Sequence, residues 1–145
     1  MKKIVVLVLM SWLAFSCGSE QKDLEKQQQE LVEQKPHGLE LNNGMKWKVD
    51  EGMLLSYNLI VKDVHEFKPT SLDDYHILSD KLYTHLKSLI NSCTMTGVAH
   101  EELHKWLHPF IDDVKALEDV KTEQEGKQLL DKIKHELVVF NAFFE

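Results

Sequence analysis

A chain of 145 residues with 43% hydrophobic and 28% charged side chains is long enough for one modest globular domain and too short for a multidomain enzyme. All 17 basic residues are lysine and face 24 acidic ones, for a net charge of −7, so the basic patch and the bidentate arginine grip that favour a nucleic-acid partner are both missing. With only two cysteines, Cys17 and Cys93, a disulfide scaffold is excluded as well.

The first residues differ sharply from the rest. Lys2 and Lys3 precede an uncharged, mostly apolar run from Ile4 to Phe15, which is too short for a transmembrane helix and is followed by strongly polar sequence. Residues 1–16 therefore read as a signal peptide. The stretch Leu13-Ala14-Phe15-Ser16-Cys17 is similar to a bacterial lipobox, with Phe15 where a small residue is usual. Cys17 is the expected lipidation site and the lipid bilayer the first expected partner, since two or more acyl chains give stable anchoring. Gly18 and Ser19 provide no acidic retention signal, which favours the outer membrane, facing either the periplasm or the cell surface. Loss of Lys2 and Lys3 leaves the remainder still more acidic, so acyl chains and not surface charge would hold it at anionic lipid.

Residues 17–44 read as the lipidated cysteine and a polar tether. Between Gly18 and Lys35 only Leu24, Leu31 and Val32 are aliphatic, too few to bury a face of their own. Pro36, Gly38, Asn42, Asn43 and Gly44 then punctuate the chain. The domain proper is expected at 45–145. It opens with a short extended piece from Met45 to Val49, where Trp47 would lie as a lid on the core.

Four helical patterns follow. Met53, Leu54, Tyr57, Ile60, Val61, Val64 and Phe67 recur at spacings of three and four up to Lys68-Pro69, where proline discourages continuation. Ser71 and Asp74 mark the next N-terminus, and Tyr75, Leu78, Leu82, Leu86, Leu89 and Cys93 form its stripe up to Gly97. His100, Leu103, Leu107, Phe110, Val114 and Leu117 carry the third, in which Pro109 implies either a kink or a split. The fourth begins at the capping box Thr122-Glu123-Gln124-Glu125 and continues through Leu129, Leu130, Ile133, Leu137, Phe140 and Phe144. Short connections make neighbours antiparallel, so the expected fold is an all-α, up-down four-helix bundle behind a signal peptide and a tether.

Eight histidines is a high count, and His100, His104 and His108 fall at successive four-residue spacings. Adjacent imidazoles so spaced reach one metal ion, and His100 and His104 are the better pair, with His108 pointing mostly to solvent. Cys93 and Met95 bring a thiol and a thioether to the turn just before. Cys93, Met95, His100 and His104 thus form a candidate metal set of two soft and two borderline ligands, suited to copper(I) or zinc. The competing reading makes Cys93 a small core hydrophobe and the histidines incidental, in a non-catalytic lipoprotein that docks on another envelope protein. His100-Glu101-Glu102-Leu103-His104 also spells H-E-x-x-H. With so many histidines and glutamates chance alone supplies such a match in roughly one chain in twenty of this composition, and a protease would need a third ligand and a cleft, so the match is read as accidental and no catalytic residue is assigned. Phosphate-loop, nucleophile-elbow and covalent-haem motifs are absent from the sequence.

The segments Asn43-Gly44-Met45-Lys46-Trp47-Lys48-Val49 and Cys93-Thr94-Met95-Thr96-Gly97-Val98-Ala99-His100, continuing to Pro109, give the chain its one familial likeness: it resembles small uncharacterised lipoproteins of Bacteroidota. That resemblance covers the bundle, implies its fold and its envelope address, and transfers no catalytic residue.

Overall fold

The computed structural model describes residues 18–145, with side chains from Lys26 onward; the expected signal peptide and the lipidation site Cys17 lie outside the described residues. Five α-helices follow in chain order: α1 (Gly18–Gln34), α2 (Glu51–Glu66), α3 (Leu72–Asn91), α4 (Gly97–Glu118) and α5 (Glu123–Phe143). Helices α2 to α5 are the four expected from the apolar spacing. They pack in sequence order, and paired contacts run in opposite directions along neighbours: Asp63 meets Lys81 while Phe67 meets Tyr75, and Trp106 meets Glu136 while Asp113 meets Lys132. An antiparallel helical bundle is the result.

The helix starts have local causes. At α3 the Asp74 carboxylate accepts from the backbone N–H of Ser71 at 2.9 Å and of Thr70 at 2.6 Å. At α5 both halves of a capping box are made: Glu125 N–H donates to Thr122 Oγ1 at 3.1 Å, and Thr122 N–H to Glu125 Oε2 at 3.2 Å. Thr122→Ala removes one acceptor from an otherwise orphaned N–H, and is expected to lower unfolding free energy by about 1 kcal/mol in urea titrations. Thr122→Ser should retain most of it. Helix α4 runs unbroken through Pro109, so the split alternative is not realised. Proline there removes the N–H that would otherwise reach the Lys105 carbonyl.

An aromatic stack fills the centre. The Tyr57 ring stacks on Phe140 at 4.0 Å, Trp106 stacks on Phe110 at 4.8 Å, and the Trp106 indole meets Phe140 edge-on at 4.7 Å. Polar tips are satisfied: the Tyr57 hydroxyl donates to the Leu137 carbonyl and the Trp106 Nε1–H to the Glu136 carbonyl, each at 2.8 Å. Trp106 is thus a central core residue and not one that closes a bundle end.

The expected polar tether differs most from the structure. From Gly18 to Gln34 it is helical, and α1 lies against α5 with Leu31 buried. One leucine cannot make a hydrophobic face, but it can enter a groove that another helix already lines. Residues 35–49 then form a collar across the bundle, with Leu39 at 0% exposure. Its hairpin, closed by reciprocal Asn42–Met45 hydrogen bonds of 2.9 and 3.0 Å, places Asn43 at φ 52° and Gly44 at φ 84°. Asn-Gly is the dipeptide that tolerates this left-handed pair. The extended piece around Trp47 pairs with the C-terminus: Trp47 N–H donates to Phe143 O at 2.8 Å, and Glu145 N–H to Trp47 O at 2.9 Å. As expected, Trp47 is half-buried over the core, and its indole N–H reaches the Glu40 carbonyl at 2.7 Å.

Candidate functional site

The candidate residues gather where α3 hands over to α4. Helix α3 ends at Asn91, so Cys93 lies in the connecting turn and not on the helical stripe; its N–H donates to the Ile90 carbonyl at 3.2 Å. The turn is tied to the start of α2, because the Asp50 carboxylate accepts from the Thr94 hydroxyl at 2.9 Å and from the Thr94 backbone N–H. Those donors, the Thr94 backbone first, hold the Asp50 carboxyl below its ordinary range. Gly97, at φ 65°, then opens α4 and carries the chain directly to His100.

A line of side chains results. Cys93 Sγ is 3.7 Å from His100 Nδ1, His100 Nε2 is 2.6 Å from His104 Nε2, and His104 Nδ1 is 2.9 Å from His108 Nε2. The rings are 4.4 and 4.8 Å apart between centroids and tilted by 42° and 41°. Spacing of four on a helix stacks side chains one above another, which is why three consecutive members meet. Cys93 and His100 are half-buried, His104 is half-buried, and His108 is exposed. Burial first, then the neighbouring His100 and His108, pushes the His104 imidazole below its usual value.

Of the four expected ligands, the structure therefore joins Cys93, His100 and His104, and adds His108, whose exposure was expected but whose contact with His104 was not. The side chains of Cys93 and Met95 both pack against the hydrophobic core, but Met95 is set apart from the histidine line, its backbone N–H facing Asp50. Among the described residues no three His, Cys, Asp or Glu side chains close on one point as a metal cage. The reason is visible in the line itself, since His104 spends one ring nitrogen on each neighbour and no ion can take both. What does converge is a pair, Nε2 of His100 and Nε2 of His104.

Three buried acids escaped the sequence reading. Glu102 accepts from Glu40 N–H at 2.9 Å and pairs with Lys105 at 2.5 Å; Glu136 faces His37 Nε2 at 3.0 Å; Asp113 pairs with Lys132 at 2.6 Å. In H-E-x-x-H terms, Glu101 is exposed and Glu102 is engaged by the collar. The remaining histidines are structural where they are bonded: His85 Nε2 lies 2.9 Å from Asp63 and His76 Nε2 lies 3.1 Å from the Val120 carbonyl.

No protein-family model matches the chain, and neither does any curated protein or solved structure. No helix among the described residues is long and apolar enough to cross a membrane.

Proposed function

We propose that this protein is a lipoprotein of the bacterial cell envelope, anchored through acylated Cys17 with the outer membrane favoured, whose helical bundle binds a transition metal, copper or zinc, at the α3–α4 end. The lipobox-like Leu13–Cys17 stretch supports the address. What carries the metal reading is the 2.6 Å approach of His100 Nε2 to His104 Nε2, with Cys93 adjoining. Two imidazole nitrogens on consecutive turns are a chelating pair that needs only small ring rotations to accept one ion. The purified, reduced protein is expected to take up about one equivalent of copper or zinc, and His100→Ala with His104→Ala to abolish that uptake, measured by equilibrium dialysis with metal analysis. Unchanged uptake in the double variant would remove the site.

A second reading, a non-catalytic interaction lipoprotein, is favoured by one observation. Leu55 and Leu59, one turn apart on α2, are 63% and 47% exposed. Capture of an envelope protein that survives chelation, from a preparation holding no metal, would support this reading against the first.

A further inference from the structure

A histidine that binds a metal presents one ring nitrogen to the ion. Its other nitrogen then carries the proton and needs an acceptor, which sets both the tautomer and the tilt of the ring. His100 and His104 each have a group able to accept that proton on the far edge of the ring: Cys93 Sγ lies 3.7 Å from His100 Nδ1, and His108 Nε2 lies 2.9 Å from His104 Nδ1. We infer that the ion is held by two protein atoms, Nε2 of His100 and Nε2 of His104, and that Cys93 and His108 stand behind them as acceptors for the two Nδ1 protons. This rests on the metal reading above and narrows it to a ligand set.

The geometry separates the four groups into two roles. A sulfur bound to the same ion as both Nε2 atoms would lie on their edge of the His100 ring, and Cys93 lies on the opposite one. His108 is on the opposite edge of His104 by the same token. The ring-nitrogen contacts along the line are made by Cys93 and by the histidines themselves, and Met95 takes part in none of them. With metal–nitrogen bonds of about 2.0–2.1 Å, two adjacent ligands sit about 2.9 Å apart at right angles and about 3.3 Å apart in a tetrahedron. The 2.6 Å pair must therefore open by about 0.3 to 0.8 Å, the smaller figure for the square-planar positions that copper(II) prefers. A 2.6 Å contact between two ring nitrogens requires one of them to donate, so in the free protein one ring holds its proton on Nε2, and when the ion enters there that proton moves to the Nδ1 of the same ring. Ligation requires the proton of each ring to be on Nδ1, which is the tautomer that Cys93 and His108 favour as acceptors.

Two consequences distinguish this site from a soft four-ligand cage. Neutral imidazoles without a thiolate suit divalent copper, zinc or nickel better than copper(I). Two protein nitrogens leave the ion's remaining positions open, on the Nε2 side of the half-buried His100 and His104, for water or for a ligand from outside the chain.

Cobalt(II) and copper(II) are the probes, added to the purified full-length chain. The cobalt(II) complex is expected to lack the intense near-ultraviolet band of sulfur-to-metal charge transfer, and the copper(II) resonance to show hyperfine structure from two nitrogens. Cys93→Ala and His108→Ala should each weaken binding about 10–100-fold without changing its stoichiometry, as losses behind the ligands do. Cys93→Ser, whose hydroxyl still accepts, should recover most of that loss, which a purely packing role for the sulfur would not produce. A sulfur-to-cobalt band that disappears in Cys93→Ser would overturn the ligand set and leave the metal reading standing. Failure of the wild-type, folded by circular dichroism, to bind either ion would overturn both.

Discussion

Trp106→Ala is expected to lower the unfolding free energy by about 3–5 kcal/mol, a large share of the roughly 5–15 kcal/mol available to a domain of this size. The indole is at 0% exposure, stacks on Phe110 and meets Phe140 and Tyr57 edge-on, so its removal opens a cavity that three other rings cannot all close. Trp106→Phe separates the two contributions. It keeps most of the ring contacts and loses the hydrogen bond to the Glu136 carbonyl, for an expected cost of about 1 kcal/mol beyond any repacking. Urea titration with an unchanged m-value is the measurement, and a loss below about 1 kcal/mol for the alanine variant would mean that the aromatic stack is not the centre of the core.

Removal of the collar is expected to have an effect at least as large. Leu39→Ala alone should cost about 2–5 kcal/mol, because the side chain is wholly enclosed. A chain that begins at Met45 loses Leu31 and Leu39 together. It also deprives two buried carboxylates of donors: Glu102 loses the Glu40 N–H, and Glu136 loses His37. Glu102 keeps the Lys105 ammonium on its other oxygen, while Glu136, whose His37 partner is gone, adds roughly 1–3 kcal/mol. The expected outcome is a protein unfolded or molten at room temperature, seen as a lost cooperative transition in thermal circular dichroism. A chain from Met45 that melts like the longer one would restore the view that residues before it are only a tether.

These two experiments fall on opposite sides of what was legible in the residues. Helices α2 to α5 were readable because their signals are local: Met53, Tyr57, Ile60 and Val64 repeat at helical spacing, and Thr122 with Glu125 announces the start of α5 by chemistry confined to one turn. The candidate site was partly readable for the same reason, since His100 and His104 stand at i and i+4 on one helix and need no other element to meet. The part played by Cys93 was not, because it depends on where α3 stops. Ending at Asn91 puts Cys93 in the turn, where it still packs against the core and its sulfur lies on the Nδ1 edge of His100. His108 was placed correctly at the surface, but the ring orientation that joins it to His104 is a property of three side chains together.

The amino-acid sequence by itself determined a helical chain with four amphipathic repeats, the caps that start two of them, and a pair of histidines one turn apart, all features of short range along the chain. Only the tertiary structure decided that Leu31 and Leu39 belong to the core and that Glu102 and Glu136 go inside. Burial of a carboxylate is tolerable only where donors meet it; Lys105 lies within a turn of Glu102, but the other donors for these two come from 62 and 99 residues away, a distance over which no periodicity or local propensity operates.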